Sequence, residues 1–337
     1  MPESRCTCIC PIRCNIVNKL ATAEFREYWR TLHQLGCEVL VVDGSPPEVF
    51  EIHAIEWSHC RHIKVDPKFT YLNGKVNGIM TAVPQAKHEK IILADDDVRY
   101  NASDIINTLE TLEKFDVVRP QNYFHPLPFW TRLDAARILL NRAFLPDGDF
   151  PGTFSFLKSV FEAAGPFDGD VLFDNEELIK HLHNYGASIY YSNDFFILRK
   201  PPTFNKWLEQ RPREAYEDFV MKGKTALFLS LLPLHLLLGL TGKRKSLGLL
   251  TISLSIYAIH KAWKARKREA GKYFPVHTPF YAPLWLLERS ISIYLAIYWK
   301  LVKGGYPFGD KIIKKGTGAA WEKTERKNET RLLEYVA

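Results

Sequence analysis

The chain reads as an α/β protein, with a mainly parallel, doubly wound sheet followed by a group of apolar helices. Three observations predict this. Short buried strands alternate with helical periodicities through the first third of the sequence, the pattern of stacked βαβ units. An aspartate triplet, Asp95-Asp96-Asp97, ends one of those strands, on the side where open α/β sheets take up ligands. Past residue 220 the composition turns apolar, and the apolar runs are separated by basic turns.

The 337 residues suffice for one sizeable α/β domain with added elements, or for two small domains. A hydrophobic fraction of 46% and a charged fraction of 25% are ordinary for a globular protein. The net charge of +7 is concentrated late in the chain, where Arg244, Lys245, Lys261, Lys264, Arg266, Lys267, Arg268 and Lys272 follow closely. Basic residues beside apolar helices predict an anionic membrane surface. No motif for RNA or DNA recognition accompanies them, so nucleic acid is not an expected partner.

Residues 5–14 read as a first strand ending at Pro11. Cys6, Cys8 and Cys10 alternate along it and share one face. CxC spacing lacks the usual zinc pattern, so these cysteines are expected to act as small buried hydrophobes. No apolar signal-peptide core precedes them, which predicts that the N-terminal domain stays in the reducing cytosol. Residues 19–35 carry Leu20, Phe25, Tyr28, Trp29 and Leu32 on roughly one helical face, and Gly36 stops the helix. Val39 to Val42 form a second buried strand that runs into the loop Asp43-Gly44-Ser45-Pro46. A third strand falls at His62 to Val65, a helix at Asn73 to Ala86, and a fourth strand at Ile91 to Ala94.

The stretch 117–150 opens with three prolines and four aromatics between Val118 and Trp130. It predicts an irregular, substrate-facing loop. Residues 154–200 resume α/β character, with a helix near 175–184. Thr225 to Leu240 and Leu247 to Ala262 are almost wholly apolar and are joined by the basic turn 241–246. Each is near the short limit of about 17 residues for a bilayer span, and together they predict a membrane hairpin. The basic segment after them fits a cytoplasmic flank. Phe280 to Val302 is apolar but contains Glu288 and Arg289. It reads as an interfacial helix, with Trp285, Tyr294, Tyr298 and Trp299 at headgroup level, or as a third span. From Gly316 the chain is charged and expected to be mobile.

The triplet carries the chemistry. Three carboxylates at one strand end repel one another unless a cation neutralises them. A hard divalent ion with oxygen ligands, shared with substrate phosphates, meets that need.

Taken in order, Pro11, Val41-Val42-Asp43-Gly44-Ser45-Pro46, Asn73-Gly74-Lys75-Val76-Asn77-Gly78, Asp95-Asp96-Asp97, Phe167-Asp168-Gly169, Asp174-Asn175-Glu176-Glu177-Leu178 and Gln210-Arg211-Pro212-Arg213 resemble the family 2 glycosyltransferases. The resemblance covers residues 5–220. It implies a GT-A fold, the Rossmann-like mixed sheet of nucleotide-diphospho-sugar transferases, here with C-terminal membrane helices. It implies an inverting transfer of one hexose from a nucleotide-sugar, family-weighted toward a UDP-sugar, assisted by Mg²⁺ or Mn²⁺. The roles it implies are Asp43 on the base or ribose with backbone around Pro11, and Lys75 near the phosphates. Asp95 and Asp97 would hold the metal, with Asp95 and Asp96 beside the nucleotide-sugar. Gln210, Arg211 and Arg213 would lie on the diphosphate and acceptor side.

Two departures matter. The family's Glu-Asp pair, whose Asp is the general base, stands here as Asp174-Asn175, leaving Asp174 or Glu177 as the candidate base. A phosphate acceptor is already ionised and needs none, so the change favours a lipid-phosphate acceptor over a lipid hydroxyl. The Trp that follows QxxR in polymerising relatives is absent, with Glu214 in its place, which favours transfer of a single sugar. The expected organisation is a catalytic domain over 1–220, a membrane region over 221–303 and a basic cytosolic tail over 304–337. A non-catalytic membrane-associated scaffold on the same fold, and transfer to a soluble or polysaccharide acceptor, are the alternatives.

Overall fold

The computed structural model describes residues 6–145 and 147–324. Strands β1 (Cys6–Ile12), β2 (Cys37–Asp43), β3 (Arg61–Lys64) and β4 (Lys90–Ala94) alternate with helices α1 (Lys19–Gln34), α2 (Pro47–Glu56) and α3 (Gly74–Ala82). Then follow β5 (Val98–Arg99), α4 (Ala102–Thr111), β6 (Val117–Phe124), α5 (Phe129–Phe144), β7 (Thr153–Leu157), α6 (Lys158–Ala164), α7 (Asp174–Tyr185) and β8 (Ile189–Arg199). The chain continues through α8 (Phe204–Tyr216), α9 (Lys222–Leu240), α10 (Arg244–Ala265), α11 (Ala270–Tyr273) and α12 (Ala282–Leu301) to the strands β9 (Tyr306–Phe308) and β10 (Lys311–Ile313).

Local chemistry sets several of these boundaries. The Asn18 side chain accepts the Leu20 and Ala21 amides and so starts α1. Asn73 does the same for Lys75 at the head of α3. Asn101 and Asp104 form a reciprocal capping box on α4.

The chain folds as two compact units, and it crosses between them more than once. The first holds residues up to Pro120, Pro151–Ser192 and the segment from Thr317; the second holds Gln121–Phe150 and Asn193–Gly316. This differs from a single division near residue 220. The chain leaves the first unit inside β6 and again inside β8, so a contiguous sequence boundary could not describe it.

In the first unit the sheet order runs β3-β2-β1-β4-β7-β6. β3, β2, β1 and β4 are parallel, whereas β7 pairs antiparallel with both β4 and β6. The sheet is therefore mixed. Its core gathers Ile9, Leu40, Val42, Val76, Ile91 and Phe154, each worth about 1.5–3 kcal/mol on burial. α3 lies unusually close to the strands at Gly78, where a Cβ would stand 3.2 Å from both Pro11 Cβ and Val42 Cγ1.

The second unit is helical apart from its part of β6 and β8 and the β9–β10 hairpin. α12 packs against α5, α8, α9 and α10. Residues 117–150, expected to be irregular, form β6 and α5 instead. Pro120 lies within β6, and Pro128 is the residue from which α5 starts, a position that costs no helical hydrogen bond. Behind it Leu133, Ala136, Ile138, Leu139 and Leu140 are all buried. Trp285 is also displaced from its expected place at a headgroup layer. It is 2% exposed and meets Phe228 edge-on at 5.5 Å. Tyr294 and Tyr298 remain on the surface.

Among the described residues, α9 is the one helix long and apolar enough to cross a membrane; α10 and α12 are broken by more polar positions. The tail from Gly316, expected to be mobile, is in part ordered: residues 319–324 are helical and belong to the first unit. Residues 325–337 lie outside the described part.

Candidate active site

The carboxyl ends of β2 and β4 and the first turn of α7 carry the candidate residues of the first unit. Asp95 follows β4 directly. Its amide donates to Gly152 O at 2.9 Å, and its carbonyl accepts the Val98 amide at 3.0 Å. That tight turn leaves Asp96 exposed and Asp95 and Asp97 half-buried.

Lys75, from the first turn of α3, reaches across to this turn. Its Nζ lies 2.5 Å from Asp95 Oδ1 and 2.8 Å from Asp174 Oδ2, and it donates to Asn175 Oδ1 at 2.7 Å. Burial alone would lower the Lys75 pKa, but Asp174 and Asp95 outweigh it and push the group up to about 12. The ammonium is therefore a fixed positive charge shared by two carboxylates. Asn73 supports it from beside, donating to Val171 O at 2.9 Å and to Asp174 Oδ1 at 3.3 Å.

The first turn of α7 has four consecutive polar residues with four different tasks. Asp174 pairs with Lys75. Asn175 accepts from Lys75 and donates to Pro151 O at 3.2 Å, a bridge that needs an amide and that a carboxylate cannot make. Glu176 pairs with the buried Arg119 at 2.9 Å. Glu177, fully buried, accepts the Gly318 amide at 2.7 Å and the Ala320 amide at 2.9 Å. The three acids also complement the positive end of the α7 dipole. Glu177 is one of the two candidate bases from sequence; its two oxygens accept backbone amides, and so anchor the 319–324 helix.

Asp43 closes β2 and is 2% exposed. Its Oδ2 accepts from His53 Nδ1 at 2.7 Å and His62 Nε2 at 3.0 Å, and Oδ1 accepts the Ser45 amide at 2.8 Å. Burial would raise its pKa, yet the bonds from His62, Ser45 and His53 hold it below the ordinary carboxylate range. His53 stacks on Trp57 and His62 on Phe50. Neither histidine stands out in the sequence, because one lies within α2 and the other on the short β3. Pro11 sits in β1 opposite Val42.

Gln210, Arg211 and Arg213 belong to α8 of the second unit. Arg211 is buried and paired with Asp134 at 2.9 Å, with Glu214 at 3.8 Å. Trp207 Nε1 donates to the same Asp134 at 2.8 Å. Arg211 is thus held in a buried ionic network together with Arg137, Asp149 and Arg289, which occupies its guanidinium. Arg213 lies over the Phe308 ring at 5.2 Å, and Gln210 is half-buried.

The oxygen donors of Asp95 and Asp97 in one turn have the chemistry that hard divalent cations select. The closely gathered three-residue ligand sets among the described residues are elsewhere, at Asp43-His53-His62 and at Cys6-Cys8-Cys37. An ion at the triplet must therefore complete its shell from other oxygen donors.

No protein-family model matches the chain. No curated protein matches it either. Among solved structures, the mannosyltransferase PcManGT from Pyrobaculum calidifontis, in complex with GDP-Man and Mn²⁺, is similar at 16% identity and a TM-score of 0.48, covering 86% of this chain and 87% of that one. Glucosyl-3-phosphoglycerate synthase from Mycobacterium tuberculosis, in complex with Mn²⁺, UDP and glucosyl-3-phosphoglycerate, is similar at 13% identity and a TM-score of 0.42, covering 62% and 77%.

Proposed function

We propose that this chain is a membrane-associated inverting glycosyltransferase. It moves one sugar from a nucleotide-sugar, a UDP-sugar by family weighting, to a lipid-phosphate or other lipid acceptor on the cytoplasmic face. The observation that carries the reading is the convergence of Lys75, Asp95, Asp174 and Asn175 at the carboxyl edge of the parallel strands. That edge is where an α/β sheet presents a ligand, and a half-buried ammonium beside acidic side chains suits a diphosphate with its counter-ion.

In the proposed reaction an acceptor oxygen attacks the anomeric carbon. The bond from that carbon to the diphosphate breaks, and nucleoside diphosphate leaves from the opposite face. Asp95 and Asp97 would hold Mg²⁺ or Mn²⁺, which when bound offsets charge on the departing diphosphate. Lys75 adds a second positive charge, and its two carboxylate partners fix its position before substrate arrives.

The state of the acids supports a phosphate acceptor. Asp174 is paired with Lys75 and Glu177 with two amides, while position 175 is an amide. An acceptor that is already ionised requires no base among them. Membrane association is supported by the second unit, where Leu237, Leu240, Leu249, Ile256, Leu287 and Leu301 are exposed beside the basic residues of 243–245 and 261–268.

The test is nucleotide-sugar turnover by detergent-purified protein, with a panel of UDP- and GDP-sugars and with Mn²⁺ or a chelator. Each donor is offered with a long-chain isoprenoid phosphate or with the corresponding alcohol. Chelator-sensitive release of nucleoside diphosphate that requires the phosphate is the expected result. Release with the alcohol alone moves the acceptor to a hydroxyl, and no donor binding with any metal supports the scaffold alternative.

A further inference from the structure

The first unit contains a second constellation that this reading leaves unused. β1 and β2 pair in parallel with Cys6 directly opposite Cys37, and Cys8 follows on the same face of β1. The Cys6 thiol donates to Cys37 Sγ at 3.2 Å. The sulfurs of Cys6, Cys8 and Cys37 all lie within 4.8 Å of one another, and the three residues are 0%, 6% and 1% exposed. We propose that Cys6, Cys8 and Cys37 form a binding site for one soft monovalent d¹⁰ cation, of which copper(I) is the representative.

Geometry is the first argument. Three sulfurs, each about 2.3 Å from one ion, stand about 4 Å apart in a trigonal plane. The three sulfurs, 3.2 Å apart at Cys6 and Cys37 and all within 4.8 Å of one another, lie near that spacing. Ligand type is the second: thiolates select soft ions over the hard cations that suit the aspartate triplet. Coordination number is the third. Zinc in a closed structural site takes four ligands, and the gathered set holds three cysteines with no histidine or carboxylate. A low-coordinate soft ion is content with that number.

An incoming cation takes the place of the thiol protons, which leave to solvent, and no oxidant or reductant is needed. The sequence alone read Cys6, Cys8 and Cys10 as small buried hydrophobes sharing one strand face. Strand pairing brings Cys37 in from 31 positions away, while Cys10 lies outside the gathered set.

The test uses the full-length chain, reduced and anaerobic, with Cys14→Ser and Cys60→Ser as background to remove the more exposed thiols. Copper(I) is titrated against a chromophoric copper(I) chelator. One equivalent should be retained, and X-ray absorption should count three sulfur neighbours. Cys37→Ser should weaken retention at least about a hundredfold, whereas Cys10→Ser, on the same strand face, should leave it unchanged. Equal retention by Cys37→Ser, no retention by the folded parent, preferential retention of Zn²⁺, or a Cys6–Cys37 disulfide in anaerobically reduced protein would each overturn the proposal. If Cys37→Ser does not fold, the sulfur count on the parent decides: three supports the site, two or fewer rejects it.

Discussion

The Glu177 carboxylate accepts the Gly318 amide at 2.7 Å, joining the first turn of α7 to a segment 141 positions further along the chain. The contact is close on both sides, because a Cβ at Gly318 would stand 2.5 Å from Asp168 Oδ2. Ala320 donates to the same carboxylate, and Trp321 is buried nearby. The late segment is therefore a part of the sheet-containing unit, held at the turn that also presents Asp174 and Asn175.

Replacing Glu177 by Ala leaves two amides without their acceptor, and the expected loss is about 2–4 kcal/mol of stability. Urea unfolding reads it directly. Turnover per folded molecule should change by less than a few-fold. A hundredfold fall at unchanged stability would instead return Glu177 to the role of general base.

Lys75→Met removes the charge between Asp95 and Asp174. Buried Asp174 and half-buried Asp95 are then left facing each other, and deleting one partner of such a pair costs up to about 3–5 kcal/mol. Turnover should fall at least about a hundredfold, that is by about 2.7 kcal/mol or more in the barrier. Lys75→Arg keeps charge but not the compact geometry, and should recover stability more than rate.

Asn175→Asp introduces an acid in the first turn of α7. Here the change sets a carboxylate oxygen against the Pro151 carbonyl in place of an N–H donor. A loss of about 1–3 kcal/mol is expected, visible as a lower melting temperature. Gain of activity with a hydroxyl acceptor in this variant would show that position 175 alone decides the need for a base.

Asp43 sets an acid-side dependence of stability. Its folded pKa lies below the ordinary carboxylate value because His62, Ser45 and His53 outweigh burial. In that window the unfolded chain binds more protons than the folded one, so stability rises with pH. The contribution is fully present above the unfolded value of about 3.9 and is lost as pH falls through the folded pKa. Asp43→Asn should flatten the melting-temperature profile below about pH 4, with the largest separation from the parent at neutral pH.

Arg211→Ala tests the second unit. Asp134 would lose its buried guanidinium partner, and a destabilisation of about 3–5 kcal/mol is expected. Nucleotide-sugar affinity measured on the folded fraction should change little. A large selective loss of affinity at unchanged stability would put Arg211 back on the diphosphate.

The sequence by itself determined the first four parallel strands and, between them, α1 and α3, because buried runs of Val, Ile and Leu and the helical spacing of apolar residues are local signals; α2, which follows the loop at 43–46, was not legible there. It also determined the position of Asp95 to Asp97, since a carboxylate run can follow Ile91 to Ala94 only at the strand's end. The apolar character of α9 and α10 was legible for the same reason. What the tertiary structure decided were the partners. Whether Glu177 is a base or an anchor depends on a segment that returns from beyond residue 316, and the membership of Cys37 in the thiol trio depends on the β1–β2 register. His53 and His62 meet on Asp43 only because α2 and β3 end beside β2. The prolines of 117–130 look like loop formers until Pro128 is seen to precede a helix whose apolar face is buried. Such relationships are set by packing and strand pairing over long sequence separations, and no local pattern encodes them.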